Sequence, residues 1–147
     1  MKYLIILSIL VLSACSSTPE VALKSEATNI IQLIEQAKRR YPEAVRGTFQ
    51  IPIKATGSQN GVVYLNSNLD YREPTNITLA LAPSTIEAFS NTYKISPDLY
   101  FINKILEVTG KVERIRIYLY KNGKRTRKFY FQTHIRIFSI NQIRVLG

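Results

Sequence analysis

The sequence predicts a mostly β, α+β domain, and three observations carry that prediction. Apolar residues recur at spacings of three and four between Thr28 and Tyr41, the period of an amphipathic helix. From Gly47 onward the period changes to two and short runs are punctuated by Gly, Pro and Asn, as in strands joined by turns. The chain has 147 residues, 46% of them hydrophobic, which suits one compact domain with a buried core.

The elements follow in order. Residues 1–14 read as an export leader, because Met1-Lys2 precedes an apolar run from Tyr3 to Leu12 broken only by Ser8. That run is too short to span a bilayer, which takes about 20 apolar residues. Residues 15–27 form a tether after Cys15, opening with the small polar stretch Ser16-Ser17-Thr18-Pro19. A helix is predicted over residues 28–42, with Ile30, Ile31, Leu33, Ile34, Ala37 and Tyr41 on one face. Thr28 or Asn29 can cap it, Lys38, Arg39 and Arg40 suit the negative end of its dipole, and Pro42 stops it.

Residues 46–147 form the β domain. Phe49, Ile51 and Ile53 alternate with polar neighbours, and Pro52, which cannot donate to a ladder, marks that strand as irregular or at an edge. The Gly57-to-Gly61 cluster reads as a break before Val62-Val63-Tyr64-Leu65, and Ile77, Leu79 and Leu81 form a third strand. Pro83-Ser84 opens a short helix through Phe89, and Ser96-Pro97-Asp98 restarts the chain toward Ile105. Two long strands and a terminal run from Ile143 to Leu146 close the domain. A meander of three strands, a helix and a closing hairpin is the element order of an OB-like five-stranded barrel preceded by the amphipathic helix. The alternative is an open antiparallel sheet packed on that helix.

Charge is unevenly spread. The chain carries 20 basic and 10 acidic residues, and between Lys111 and Arg144 ten basic residues face one acid, Glu113, a local charge of +9. Such a field favours anionic partners. Along the last long strand Phe129, Phe131, Ile135 and Ile137 share one parity and read as core. Lys128, Tyr130, His134 and Arg136 share the other, outward parity. In the preceding strand the apolar parity switches between Val112 and Ile115, so a β-bulge near Glu113 and Arg114 is expected. Arg114 or Arg116, with Tyr118 and Tyr120, would then join Tyr130 on the outward face. A plain two-residue turn at Asn122-Gly123 would mix the faces, so a longer loop or a further bulge is expected there. Interleaved cations and rings suit a polyanion: an anionic glycan, a lipid phosphate or single-stranded nucleic acid.

Leu12-Ser13-Ala14-Cys15 resembles the bacterial lipobox, in which the cysteine becomes a lipidated N-terminus. That resemblance implies lipidation of Cys15 and a membrane partner through the lipid; Ser16, rather than Asp, in the next position implies the outer membrane, facing the periplasm. It also accounts for a lone Cys in an exported chain. Tyr64-Leu65-Asn66-Ser67, Asp70-Tyr71-Arg72 and Asn76-Ile77-Thr78-Leu79 resemble a motif of small bacterial exported proteins with an OB-like barrel, a resemblance that carries no assigned activity.

Catalysis finds little support. Staphylococcal-type nucleases combine export with an OB barrel, but they are expected to hold calcium in an acidic cluster beside two arginines, and here Asp70, Arg72 and Glu73 form a single acidic-basic knot. His134 is the one His, with no nucleophile and orienting acid evident beside it. No cofactor or metal is expected. The sequence therefore predicts a lipid-anchored envelope protein that binds an anionic ligand through Arg114, Arg116, Tyr118, Tyr120, Lys128, Tyr130, His134 and Arg136. The alternative is a structural or assembly lipoprotein that contacts an envelope protein partner.

Overall fold

The computed structural model describes residues 28–146, so the leader, Cys15 and the tether lie outside the described residues. Helix α1 spans Ile30–Arg40. The Asn29 side chain caps it by accepting from the Gln32 N–H at 3.1 Å, and the chain turns at Tyr41-Pro42, so the expected span is trimmed to its caps. Thr28 stays outside the helix, and its Oγ1 accepts from the Gln50 N–H at 2.7 Å, tying the helix entrance to the first strand.

Seven strands form one mixed sheet: β1 (Val45–Pro52), β2 (Ala55–Gln59), β3 (Val62–Asn66), β4 (Ile77–Leu81), β5 (Ile105–Lys121), β6 (Lys124–Ile137) and β7 (Ile143–Val145). The hydrogen-bonded path runs β1-β5-β6-β4-β3-β2, and β7 also pairs with β5. An α+β domain with a helix packed on an open sheet path describes this pairing, with one correction to the alternative given above. β4 and β6 run parallel, Leu79 beside Ile135, because the chain crosses over between them through two helices and β5.

Three further expectations are corrected. The Gly57-to-Gly61 cluster contains most of strand β2 and one turn: Gln59 pairs with Val62, and Asn60 and Gly61 both take positive φ (52° and 75°), as a two-residue hairpin turn requires. β2 shows no apolar alternation because its residues face solvent or are half-buried. The helix opened by Pro83 runs on to Tyr93 as α2 (Pro83–Tyr93), and Pro97 starts α3 (Pro97–Phe101). Finally, no bulge interrupts β5 at Glu113 and Arg114. Its pairing with β1 is continuous to Val112, and its pairing with β6 is continuous from Val112 to Tyr118.

The core lies on one face of the sheet. Ile51, Leu65, Ile77, Leu79, Leu81, Leu106, Val108, Val112, Ile135 and Ile137 are fully buried. Leu33, Ile34 and Ala37 of α1 pack into it, with Phe89 of α2 and Phe101 of α3. Burying a Leu or Ile side chain of this kind contributes about 1.5–3 kcal/mol. Beyond Val112 on β5 and before Thr133 on β6, neither strand has a third neighbour among the described residues. The hairpin therefore leaves the sheet as a two-stranded ribbon, and from Glu113 to Asn122 its rise of 3.4 Å per residue gives an arm of about 30 Å.

Candidate functional site

The unbroken register of β5 decides what the ribbon presents. Arg114 stands opposite Thr133, Arg116 opposite Phe131, and Tyr118 opposite Phe129. Directly opposed residues in an antiparallel pair share a face, so Arg114, Arg116 and Tyr118 lie with Phe129 and Phe131. Tyr130 stands opposite Ile117, and His134 opposite Glu113, on the other face. The expected grouping of Arg114, Arg116 and Tyr118 with Tyr130, His134 and Arg136 is thus corrected. The parity switch in β5 reflects a change in what covers each face, with no extra residue. Phe129 and Phe131, read as core, are exposed and half-buried respectively, because the ribbon has left the core behind.

On the first face, guanidiniums and rings alternate. Arg114 Cζ lies 3.8 Å from the Phe131 centroid, Arg116 Cζ 5.0 Å from Phe129 and 5.8 Å from Tyr41, and Arg125 Cζ 4.3 Å from Tyr118. Phe131 meets Tyr41 and Phe129 edge-on, each at 5.4 Å between centroids. These contacts sit in the range where a cation is drawn to a ring face. Phe129, Phe131, Arg125 and Tyr41 belong to this surface and were missed in the sequence; the signal that finds the first two is the register itself.

The expected bulge near the turn exists. Asn122 and Gly123 make a two-residue turn with φ of 51° and 72°, and the register then shifts between Tyr118 and Tyr120. Thr126 fills the irregularity: its Oγ1 donates to the Leu119 carbonyl at 2.8 Å and accepts from the Lys128 N–H at 3.2 Å. Tyr120 is two-thirds exposed opposite Arg125, and Lys128 is exposed in the bulge.

Ion pairs distinguish the root of the hairpin from its arm. At the root Arg136 Nε meets Glu113 at 3.5 Å and Arg144 Nη2 meets Glu107 at 2.8 Å. Among the described residues, none of the other eight cations between Lys111 and Lys128 has a carboxylate within ion-pair distance. The Glu35 carboxyl, near Arg114, is held below its usual range mainly by the hydrogen bond from Lys38 at 2.8 Å. Arg136 borders a separate polar hollow with Arg46, Lys111 and Gln142, away from the turn.

On the opposite face of the sheet a groove of about 460 Å³ runs across β2, β3, β4 and β6. Tyr64, Tyr71, Tyr130, Asn66, Gln132 and His134 line it, and among the described residues its lining carries no Asp, Glu, Lys or Arg. His134 is buried and its pKa is lowered to about 4, first by loss of solvent and then by the charge of Arg136, so the ring is neutral. Gln132 donates from Nε2 to the Tyr71 carbonyl (3.4 Å) and to Tyr130 Oη (3.3 Å), so its Oε1 faces His134 Nε2 at 2.8 Å and sets the proton on that nitrogen. Burial raises the Tyr130 pKa.

The 67–76 loop at the groove's rim is fixed by a buried amide. Asn76 Nδ2 donates to Asn66 Oδ1 (3.2 Å), Thr78 Oγ1 (2.9 Å) and the Tyr71 carbonyl (3.3 Å), while its Oδ1 accepts from the Asn68 N–H at 3.0 Å. Arg72 and Asp70 on this loop neutralise each other through two charge-assisted hydrogen bonds of 3.0 Å. The Asp70 pKa falls and that of Arg72 rises for that reason. Among the described residues, no group of three or more His, Cys, Asp or Glu side chains is placed to hold a metal ion.

No protein-family model matches the chain, and no match is found among curated proteins. Among solved structures, an aspartyl tRNA synthetase from Entamoeba histolytica is similar to it, at 16% identity and a TM-score of 0.48, over 93% of this chain and 24% of that one. The chain thus spans about a quarter of that protein's length. A likeness at this level carries no argument about function.

Proposed function

We propose that the protein is a non-catalytic binding module, anchored to the outer membrane by lipid on Cys15 and facing the periplasm, that takes an anionic polymer on the arm of its hairpin. The observation that carries this reading is the set of seven cations between Arg114 and Lys128 that, among the described residues, have no carboxylate within ion-pair distance. Three of their guanidiniums lie on rings of the same ribbon face. A guanidinium laid on a ring keeps its N–H edge outward, where phosphate, sulfate or carboxylate oxygens can meet it. The same stacking occupies the ring faces that a nucleobase would use, which favours recognition of charge over stacking of bases.

The reading includes an OB-like barrel. β1 and β2 would be two halves of one bent strand, since Ile53 N–H donates to the Lys104 carbonyl and Lys54 N–H to the Asn66 carbonyl, each at 2.8 Å. The parallel β4·β6 pair and the closing hairpin agree with that topology.

Titrating the full chain in neutral micelles with a sulfated glycan, a single-stranded oligonucleotide and anionic vesicles, at low and high salt, tests the binding claim. Affinity for at least one of them falling steeply with salt is expected. Absence of binding to all three at low salt overturns it. Mass spectrometry of the membrane-fraction N-terminus tests the anchor: a mature chain starting at Cys15 with acyl mass is expected, and any other N-terminus overturns it.

A further inference from the structure

We infer that the neutral groove on the opposite face of the sheet is a second binding site, for a pyranose unit of an uncharged saccharide. Its lining joins flat rings to neutral amides. Tyr64 and Tyr130 offer rings against which the C–H face of a sugar ring packs, with Tyr71, over which Arg72 Cζ lies at 5.8 Å, beside them; the tyrosine hydroxyls, and the lone pair left on Gln132 Oε1 after it accepts from His134, meet the sugar hydroxyls. A sugar ring is apolar across its faces and polar around its edge, and the groove pairs rings with polar groups in the same way.

The absence of charge selects among ligands. Among the described residues no Lys, Arg, Asp or Glu lines the groove, and on the rim loop Arg72 and Asp70 cancel. A nucleic-acid strand would bring phosphates to a groove whose neighbouring cation, Arg72 over the Tyr71 ring, is already bound to Asp70, while the arm's guanidiniums on Phe129, Phe131 and Tyr118 lie on the other face of the ribbon. The site is also built in advance. Asn76 fixes the rim loop from below, and Gln132 ties that loop to β6 through the Tyr71 carbonyl while orienting His134 and Tyr130. A ligand entering the groove meets oriented donors and acceptors and has little loop motion to arrest.

Gly57 supplies the decisive test. It lines the groove, and a Cβ built on it meets no atom within 4 Å, so a large side chain there projects into open space. Gly57→Trp should fill the groove and leave the core as it is. The experiment is saturation-transfer NMR on the full chain in sugar-free zwitterionic micelles, with short cello-, malto- and chito-oligosaccharides as probes. At least one probe is expected to receive saturation, equally at low and high salt. Tyr130→Ala should weaken that binding about fivefold, the worth of one ring contact, and Gly57→Trp should abolish it. Sulfated-glycan binding to the arm, measured on the same Gly57→Trp sample, should be unchanged, which keeps this site's failure separate from that of the hairpin. Saturation of none of the probes, loss of the signal at high salt, or a signal that survives Gly57→Trp overturns the inference.

Discussion

The two ends of the long hairpin are made of the same pair of strands and have opposite physics. At its root Leu106, Val108, Val112, Ile135 and Ile137 are fully buried, flanked by β1 and β7 on β5 and by β4 on β6, and Arg136 and Arg144 are ion-paired. In the arm the same face continues as Arg114, Arg116 and Tyr118 against Phe129 and Phe131, with no third strand and no acid partner among the described residues. Strand register therefore assigns a residue to a face, and the neighbours beyond the pair decide whether that face is core or surface. An isolated two-stranded ribbon is marginal in water. The arm persists because its register continues from a root held on both sides.

One pair of substitutions tests this contrast, and the other positions follow from the larger effect on stability to the smaller. Leu79→Ala, at the fully buried centre of β4, should cost about 3 to 4 kcal/mol through lost transfer energy and a cavity. Phe131→Ala in the ribbon should cost only about 1 kcal/mol, since that ring is half-buried and is held by Arg114, Phe129 and Tyr41. Denaturant melts compare them, and equal losses would break the distinction between root and arm.

His134 stands where root and arm meet, and its titration gives the next effect. Its folded pKa of about 4 lies below the ordinary value of 6.5, so the unfolded chain takes up the proton more readily. Its contribution is intact above about pH 6.5, is lost as pH falls toward 4, and levels off below, for a total on the order of 3 kcal/mol. Melts of the wild type and His134→Asn across this window should differ in slope, the variant being the flatter. Parallel slopes would place the imidazole in water.

Asn76→Ala removes the amide that joins Asn66, Thr78 and the Tyr71 carbonyl, and should cost about 2 kcal/mol by leaving buried acceptors unpaired. Its additional signature is faster amide exchange in the 67–76 loop, with the ribbon unaffected. The smallest effect on stability belongs to Arg114, Arg116 and Arg125 replaced together by Gln, under about 1 kcal/mol for exposed and half-buried surface positions. That variant should nevertheless flatten the salt dependence of polyanion binding, since each contacted phosphate of a single strand contributes about 0.7 to the logarithmic slope. An unchanged slope would move the anion site away from the ring-stacked arginines.

Much of the fold was legible where a single period governs a segment. The spacing of Leu33, Ile34 and Ala37 and the alternation of Ile77, Leu79 and Leu81 located α1 and β4, because each element presents one face to one core. β2 was illegible, since Thr56, Gly57 and Ser58 form a strand by pairing with β3 and bury little of their own. The site was partly legible. Cation density marked the hairpin, but Val112 to Ile117 was read as one apolar face interrupted by a bulge, whereas those residues lie on two faces with different covers. Parity carries no information about a cover. The uncharged groove has no sequence signal of its own, because Tyr64, Asn66, Tyr71 and Gln132 converge only when three strands and a loop are brought together.

The ribbon's two free edges have a consequence for self-association. Past Val112 and Thr133 the outward N–H and C=O groups of β5 and β6 have no partner strand among the described residues, a template on which a second copy could zip. Like charge opposes this: two arms approaching edge to edge bring seven cations against seven, Arg114, Arg116, Lys121, Lys124, Arg125, Arg127 and Lys128 on each. The cations offered to an anion are thus also the colloidal protection of the arm. A polyanion that neutralises them withdraws that protection, so turbidity should peak where added negative charge matches the arm's positive charge, and clear again when the polymer is in excess.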